Sequence, residues 1–154
     1  MNRERKYPDT QFYHFYNANP RNRITGDCSI RAISTATGIP YKEVVMGMAK
    51  LQCETGYDAS ELIGRYLKSQ GWIKNKQPKH HDGTKFTGEE FCERIQCGIR
   101  DGGKKGEVDE EGVKLSYEII ANIGSHHIVA IMNGQVWDIW NSSRDCVGNY
   151  WTKE

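Results

Sequence analysis

The chain has 154 residues, 21 Lys and Arg against 20 Asp and Glu, a formal charge of +1 and 37% hydrophobic residues. That length suits one domain over 1–154 whose core needs no covalent staples, and the near-neutral balance makes no electrostatic case for nucleic acid as a partner. No stretch approaches the roughly 20 apolar residues of a membrane span, no apolar leader opens the sequence, and the five scattered cysteines read as reduced thiols, so the expected location is cytoplasmic and no membrane partner is expected.

In chain order, Met1 to Lys6 reads as a charged, solvated arm. Gln11 to Tyr16 is aromatic and suits a strand or an extended strap. The loop Asn17 to Asp27 leads into a first helix from Cys28 to about Thr37, with Gly38 at the left-handed capping position. Pro40 suits the first turn of a second helix to about Gln52, with Val44, Val45, Met48 and Leu51 on its apolar side. Asp58 to Glu61 has the pattern of a capping box for a third helix, which turns Leu62, Ile63, Tyr66 and Leu67 inward and stops at Gly71.

Trp72 to Asn75 is a short candidate strand, and Thr87 to Glu90 starts a fourth helix over about Glu89 to Cys97. The Gly- and Lys-rich stretch 98–112 reads as a mobile loop, placed to act as a flap over a cleft at Cys28. From Lys114 the period becomes strand-like: Leu115 to Ile123, His127 to Met132, Gln135 to Trp140 and Asn149 to Thr152. The expected class is α+β, with N-terminal helices packed against a C-terminal antiparallel sheet.

Cys28 is a candidate nucleophile. At a helix start the unpaired N–H groups and the helix dipole favour thiolate over thiol. Asn133-Gly134 between two apolar runs predicts a type I′ hairpin, whose register pairs Met132 with Gln135 and puts His127, Asp138 and Trp140 on one face. His127 and Asp138 become diagonal neighbours with Cα atoms roughly 7–8 Å apart, near enough for the carboxylate to orient the imidazole. Trp140 would shield that bond from water. His126 and Asn141 face the other way in the same register and form a competing pair. A histidine beside the thiol can take its proton and return it to a leaving group. The Cys28 N–H and the amide of Asn22, six positions upstream, are candidate oxyanion donors.

Cys28, His127, Asp138 and Trp140, in that order, with Asn22 upstream and the run His127 to Ile131, resemble the papain-like cysteine peptidases. Their specific motifs lie within about 22–38 and 125–142. The resemblance implies a papain-like fold, a Cys28-His127-Asp138 triad and an oxyanion hole that includes Asn22. It also implies a peptide or protein substrate and no cofactor. The chain departs from the common pattern in its short length, in Gly26-Asp27 before the cysteine, and in Asn where glutamine is usual. Its size and reduced thiols are similar to compact bacterial or phage-borne members, which for a phage protein would mean the host cytoplasm. Peptide or isopeptide hydrolysis is the default reaction, with deamidation or amidase chemistry on the same core. Two rivals remain open: a catalytically inactive binding module of the same fold, and a small zinc protein using His80, His81, Cys92 and Cys97.

Overall fold

In the computed structural model, which describes residues 2–154, Asn133 and Gly134 have φ of 52° and 76°, the positive pair that a type I′ turn needs. The turn joins β4 (His127–Met132) to β5 (Gln135–Asp138) and pairs Met132 with Gln135, Ile131 with Val136 and Ala130 with Trp137. This is the register expected from the turn chemistry. β3 (Glu118–Ile123) lies antiparallel on the other side of β4 and is followed by β6 (Val147–Lys153).

Two further strands correct the expected C-terminal antiparallel sheet. β1 (Tyr13–Phe15) pairs in parallel with β5, and β2 (Trp72–Asn75) pairs antiparallel with β6, giving a mixed six-stranded sheet of order β1-β5-β4-β3-β6-β2. Both come from the helical half of the chain. Their partners are too distant in sequence to leave a local signal, and three or four residues are too few to establish an alternating pattern.

The helices are α1 (Arg3–Lys6), α2 (Cys28–Thr37), α3 (Tyr41–Thr55), α4 (Ala59–Ser69) and α5 (Gly88–Arg100). The N-terminal arm is therefore not a free end, because it forms a turn of helix whose Arg3 Nε donates to the Ile139 carbonyl at 2.9 Å. Among the described residues no helix is long and apolar enough to cross a membrane.

Both faces of the sheet are covered. Ile33, Val44 and Leu67 of α2, α3 and α4 pack on Ile120, Ala130 and Trp151, while Phe91, Cys92 and Ile95 of α5 pack on Ile119, Val129, Ile131 and Val136. Adjacent residues of β3 and β4 thus serve opposite layers, as the two-residue pleat requires. Each fully buried aliphatic or aromatic side chain adds roughly 1.5–3 kcal/mol.

The stretch 98–112 is not a flap over Cys28. Arg94 of α5 binds Asp109 Oδ2 and Glu111 Oε1, each at 2.6 Å, and backbone bonds join Gly106 and Glu107 to Leu115. Val113 and Leu115 belong to the α5 layer, so the segment lies on the face opposite α2. Ion pairs and nonlocal backbone bonds hold it, neither of which its polar composition reveals.

Candidate active site

Cys28 is the first residue of α2, and Asp27 before it makes no side-chain cap. Its carboxylate instead accepts from Arg31 Nε at 2.7 Å, Asn19 Nδ2 at 3.0 Å and the Tyr41 hydroxyl at 2.6 Å. Burial works against the Asp27 charge, but these three donors outweigh it and hold the carboxyl below its usual range. The helix start therefore keeps its partial positive charge beside the thiol.

His127 opens β4 and its Nε2 lies 2.5 Å from Asp138 Oδ2. Nδ1 is the ring nitrogen that Asp138 leaves free. Hydrogen bonding to the His127 ring is the main cause that holds the Cys28 thiol below its ordinary value; burial opposes it, and the Ile128 N–H with the charges of His127 and Arg31 assists it. At His127 burial disfavours the charged ring, yet bonds to Asp138 and Cys28 prevail and raise it to about 9. Both shifts act in the direction of thiolate and imidazolium. The Trp140 ring lies 4.9 Å from the His127 ring, tilted by 37°, just beyond the end of β5.

Asp138 is 2% exposed. Its Oδ1 accepts from Arg31 Nη1 at 2.5 Å and from the Ile139 N–H at 2.8 Å, which ends β5 by turning the next amide onto the side chain. Its carbonyl accepts from the Tyr13 hydroxyl at 2.9 Å and the Tyr16 N–H at 3.0 Å. Arg31, one turn after Cys28 on α2 and 5% exposed, bridges Asp27 and Asp138. Burial disfavours its charge, but the two carboxylates keep the guanidinium firmly protonated. This cation ties the helix that carries Cys28 to the hairpin that carries His127 and Asp138.

Arg31, Asp27, Tyr13 and Tyr41 are absent from the residues expected from sequence. Asp27 and Arg31 stand four apart, the spacing of a helical ion pair, and that signal was available. The bond from Arg31 to Asp138 had none.

His126 is exposed, and Asn141 Oδ1 accepts from the Ser143 N–H and hydroxyl at 3.0 and 2.6 Å. The geometry thus brings together His127 and Asp138 rather than His126 and Asn141. Asn22 is exposed at φ 55°. Its N–H donates to the Asn19 carbonyl at 2.9 Å and its Oδ1 accepts from Asn17 Nδ2 at 3.4 Å, so its bonds shape the loop before Cys28.

The residues of the zinc reading are spread out. Cys92 is fully buried and its thiol is pushed up to about 12 by burial. His80 stacks on Phe86 at 3.9 Å, and the exposed His81 lies 3.5 Å from Glu110. Among the described residues no three His, Cys, Asp or Glu side chains are grouped to hold a metal ion.

A cleft of about 1240 Å³ opens at Cys28 and extends along α4 toward β2 and β6. Gly26, Ser29, Ser125 and His126 surround the thiol end, and no residue of 98–112 lines it. Compared with protein-family models, with curated proteins and with solved structures, the chain has no match.

Proposed function

We propose that the protein is a papain-like thiol hydrolase acting on peptide or isopeptide bonds. The observation that carries this reading is the setting of His127, whose Nε2 lies 2.5 Å from the buried Asp138 carboxylate and whose ring holds the Cys28 thiol below its ordinary value. The Cys28 thiolate attacks the substrate carbonyl, and negative charge moves to the carbonyl oxygen. The Cys28 N–H at the uncapped start of α2 donates a hydrogen bond to that oxygen. Asn22 is the second donor: its Oδ1 accepts from Asn17 Nδ2 at 3.4 Å, which leaves its own Nδ2 to donate.

The His127 imidazolium then gives its proton to the leaving amine as the C–N bond breaks, leaving an acyl-Cys28 thioester and a neutral ring. Water, deprotonated by His127, attacks the thioester; the acid leaves and the thiolate–imidazolium pair is restored. Asp138 stays ionised and orients the ring, and Trp140 shields their bond from water.

Alkylation by iodoacetamide between pH 5 and 9, read residue by residue by mass spectrometry, tests this reading. Cys28 is expected to react faster than the exposed Cys53 and Cys146 at pH 6, with His127→Ala removing the advantage while the fold is kept. Hydrolysis of a fluorogenic peptide library is expected to depend on Cys28. Equal labelling of the exposed thiols and no turnover would replace the enzyme with a binding module of the same fold.

A further inference from the structure

The cleft that starts at Cys28 continues well past any reacting atoms, and its composition is uneven. From Ile128 of β4 it passes Asn122 of β3 and Trp151 of β6 to Trp72 and Lys74 of β2. Those strands are adjacent in the sheet, so three inter-strand steps span about 14 Å. At roughly 3.4 Å per residue, about four residues of extended chain fit between the thiol and the far end. Ile63, Ile128, Trp72 and Trp151 give the walls an apolar lining.

The rim is cationic. Lys68 of α4 and Lys74 of β2 are exposed and line the groove, and among the described residues neither has a carboxylate partner. Lys74 Nζ lies 5.7 Å from the centre of the Trp151 ring, placing the charge beside the apolar lining. Of the remaining charged groups that line the groove, Arg65 and Glu61 pair with each other at 3.4 Å, and Glu154 stands at the far end.

Gly64 is the second observation. It sits in the interior of α4, where glycine costs about 1 kcal/mol relative to alanine. A Cβ there would meet nothing within 4 Å. Gly47 of α3 is different, since its Cβ would strike the Tyr66 ring at 2.6 Å. Packing thus demands glycine at 47 and not at 64. What the missing side chain at 64 does is leave the groove open along the wall it lines.

We propose that this groove binds the substrate as an extended polypeptide carrying a large apolar residue flanked by acidic residues, with Lys68 and Lys74 reading the acid and Gly64 keeping the channel open. The assignment rests on the acyl-transfer reading for its position at Cys28, but its test need not. The probe is a fluorescein-labelled pentapeptide with one tryptophan between two glutamates, alongside counterparts flanked by lysine or alanine. Binding to the Cys28→Ala protein is read by fluorescence anisotropy, without turnover.

The glutamate peptide is expected to bind at least about tenfold more tightly than the lysine peptide, and K68E/K74E to reverse that order. Gly64→Leu should weaken the glutamate peptide at least about tenfold, while iodoacetamide labelling of Cys28 in the otherwise native chain is unchanged. Gly64→Ala controls for folding and should raise the melting temperature. Equal binding of all three peptides, or affinity indifferent to Lys68, Lys74 and Gly64, would overturn the assignment even if Cys28 proved catalytic. Selective peptide binding beside an unreactive Cys28 would uphold the groove and remove the hydrolase.

Discussion

Cys28 and Cys92 lie near the starts of two helices that cover opposite faces of one sheet, and their surroundings differ at every level. α5 begins with a complete capping box, Thr87 and Glu90 satisfying each other's backbone N–H groups at 3.1 and 2.9 Å, with Glu89 and Glu90 in its first turn. Its cysteine sits a turn later in the apolar layer, pushed to about 12 by burial. α2 begins with an aspartate that caps nothing and has no acid in its first turn, and its cysteine is lowered by a histidine. A helix start is stabilised by closing its donors; the start of α2 leaves them available. The same residue type at similar places in two helices is sealed in an apolar layer in one and set beside a histidine and a cleft in the other.

The widest separation is expected from the cysteines themselves. Cys28→Ala should lower turnover by at least about 10³-fold. Cys92→Ala should leave turnover unchanged and cost about 1 kcal/mol, near the value of one buried methylene, read from the urea midpoint. Loss of activity from Cys92→Ala without loss of fold would break the contrast.

Next come the two arginines that bridge paired carboxylates. Arg31→Met strands the carboxylates of Asp27 and Asp138 and should cost about 3–5 kcal/mol in urea unfolding. Arg94→Met, on the α5 side, loosens Asp109 and Glu111 in a pair whose cation is 36% exposed, and about 1 kcal/mol or less is expected. Equal costs would mean that Arg31 is no more embedded than its counterpart.

Asp138→Asn tests the electrostatics by pH. The wild-type alkaline limb of turnover should lie near 9, where His127 loses its proton, and in the variant it should move down toward the ordinary histidine value of about 6.5. The sign for stability follows from a raised folded value: the His127 contribution is complete below about 6.5 and is lost as pH rises through about 9. The difference in stability between wild type and Asp138→Asn should therefore shrink between those limits. An alkaline limb that stays near 9 in the variant would remove Asp138 as the group that holds the proton.

The smallest effect is at the cap. Thr87→Ala should cost about 1 kcal/mol and leave turnover intact, whereas Asp27→Ala should lower both, because it releases Arg31, Asn19 and Tyr41 together.

The pattern of what was legible follows the range of the interactions. The Asn133-Gly134 turn carried its own register, and through it the pairing of His127 with Asp138, because a two-residue turn is a local object. The span of α2 and the cap of α5 were local as well. The parallel pairing of β1, the insertion of β2 at the far edge and the grip of Arg31 on Asp138 depend on segments that meet only in the folded chain. The stretch 98–112 looked mobile from its glycines and lysines, yet Arg94 and a run of backbone bonds fix it. Asn22 kept the spacing that drew notice, while its bonds tie it to Asn17 and Asn19.

The placement of β1 beside β5 bears on when the molecule becomes competent. Tyr13 and Tyr16 hold the carbonyl of Asp138, and Arg3 holds that of Ile139, so a segment made before Cys28 anchors a strand made long after it. Contacts of such long sequence separation form slowly and late. A growing chain with Cys28 already exposed still lacks His127, Asp138 and the partner of β1. The thiol therefore lacks the group that lowers it until the hairpin carrying His127 has been made and has closed on α2.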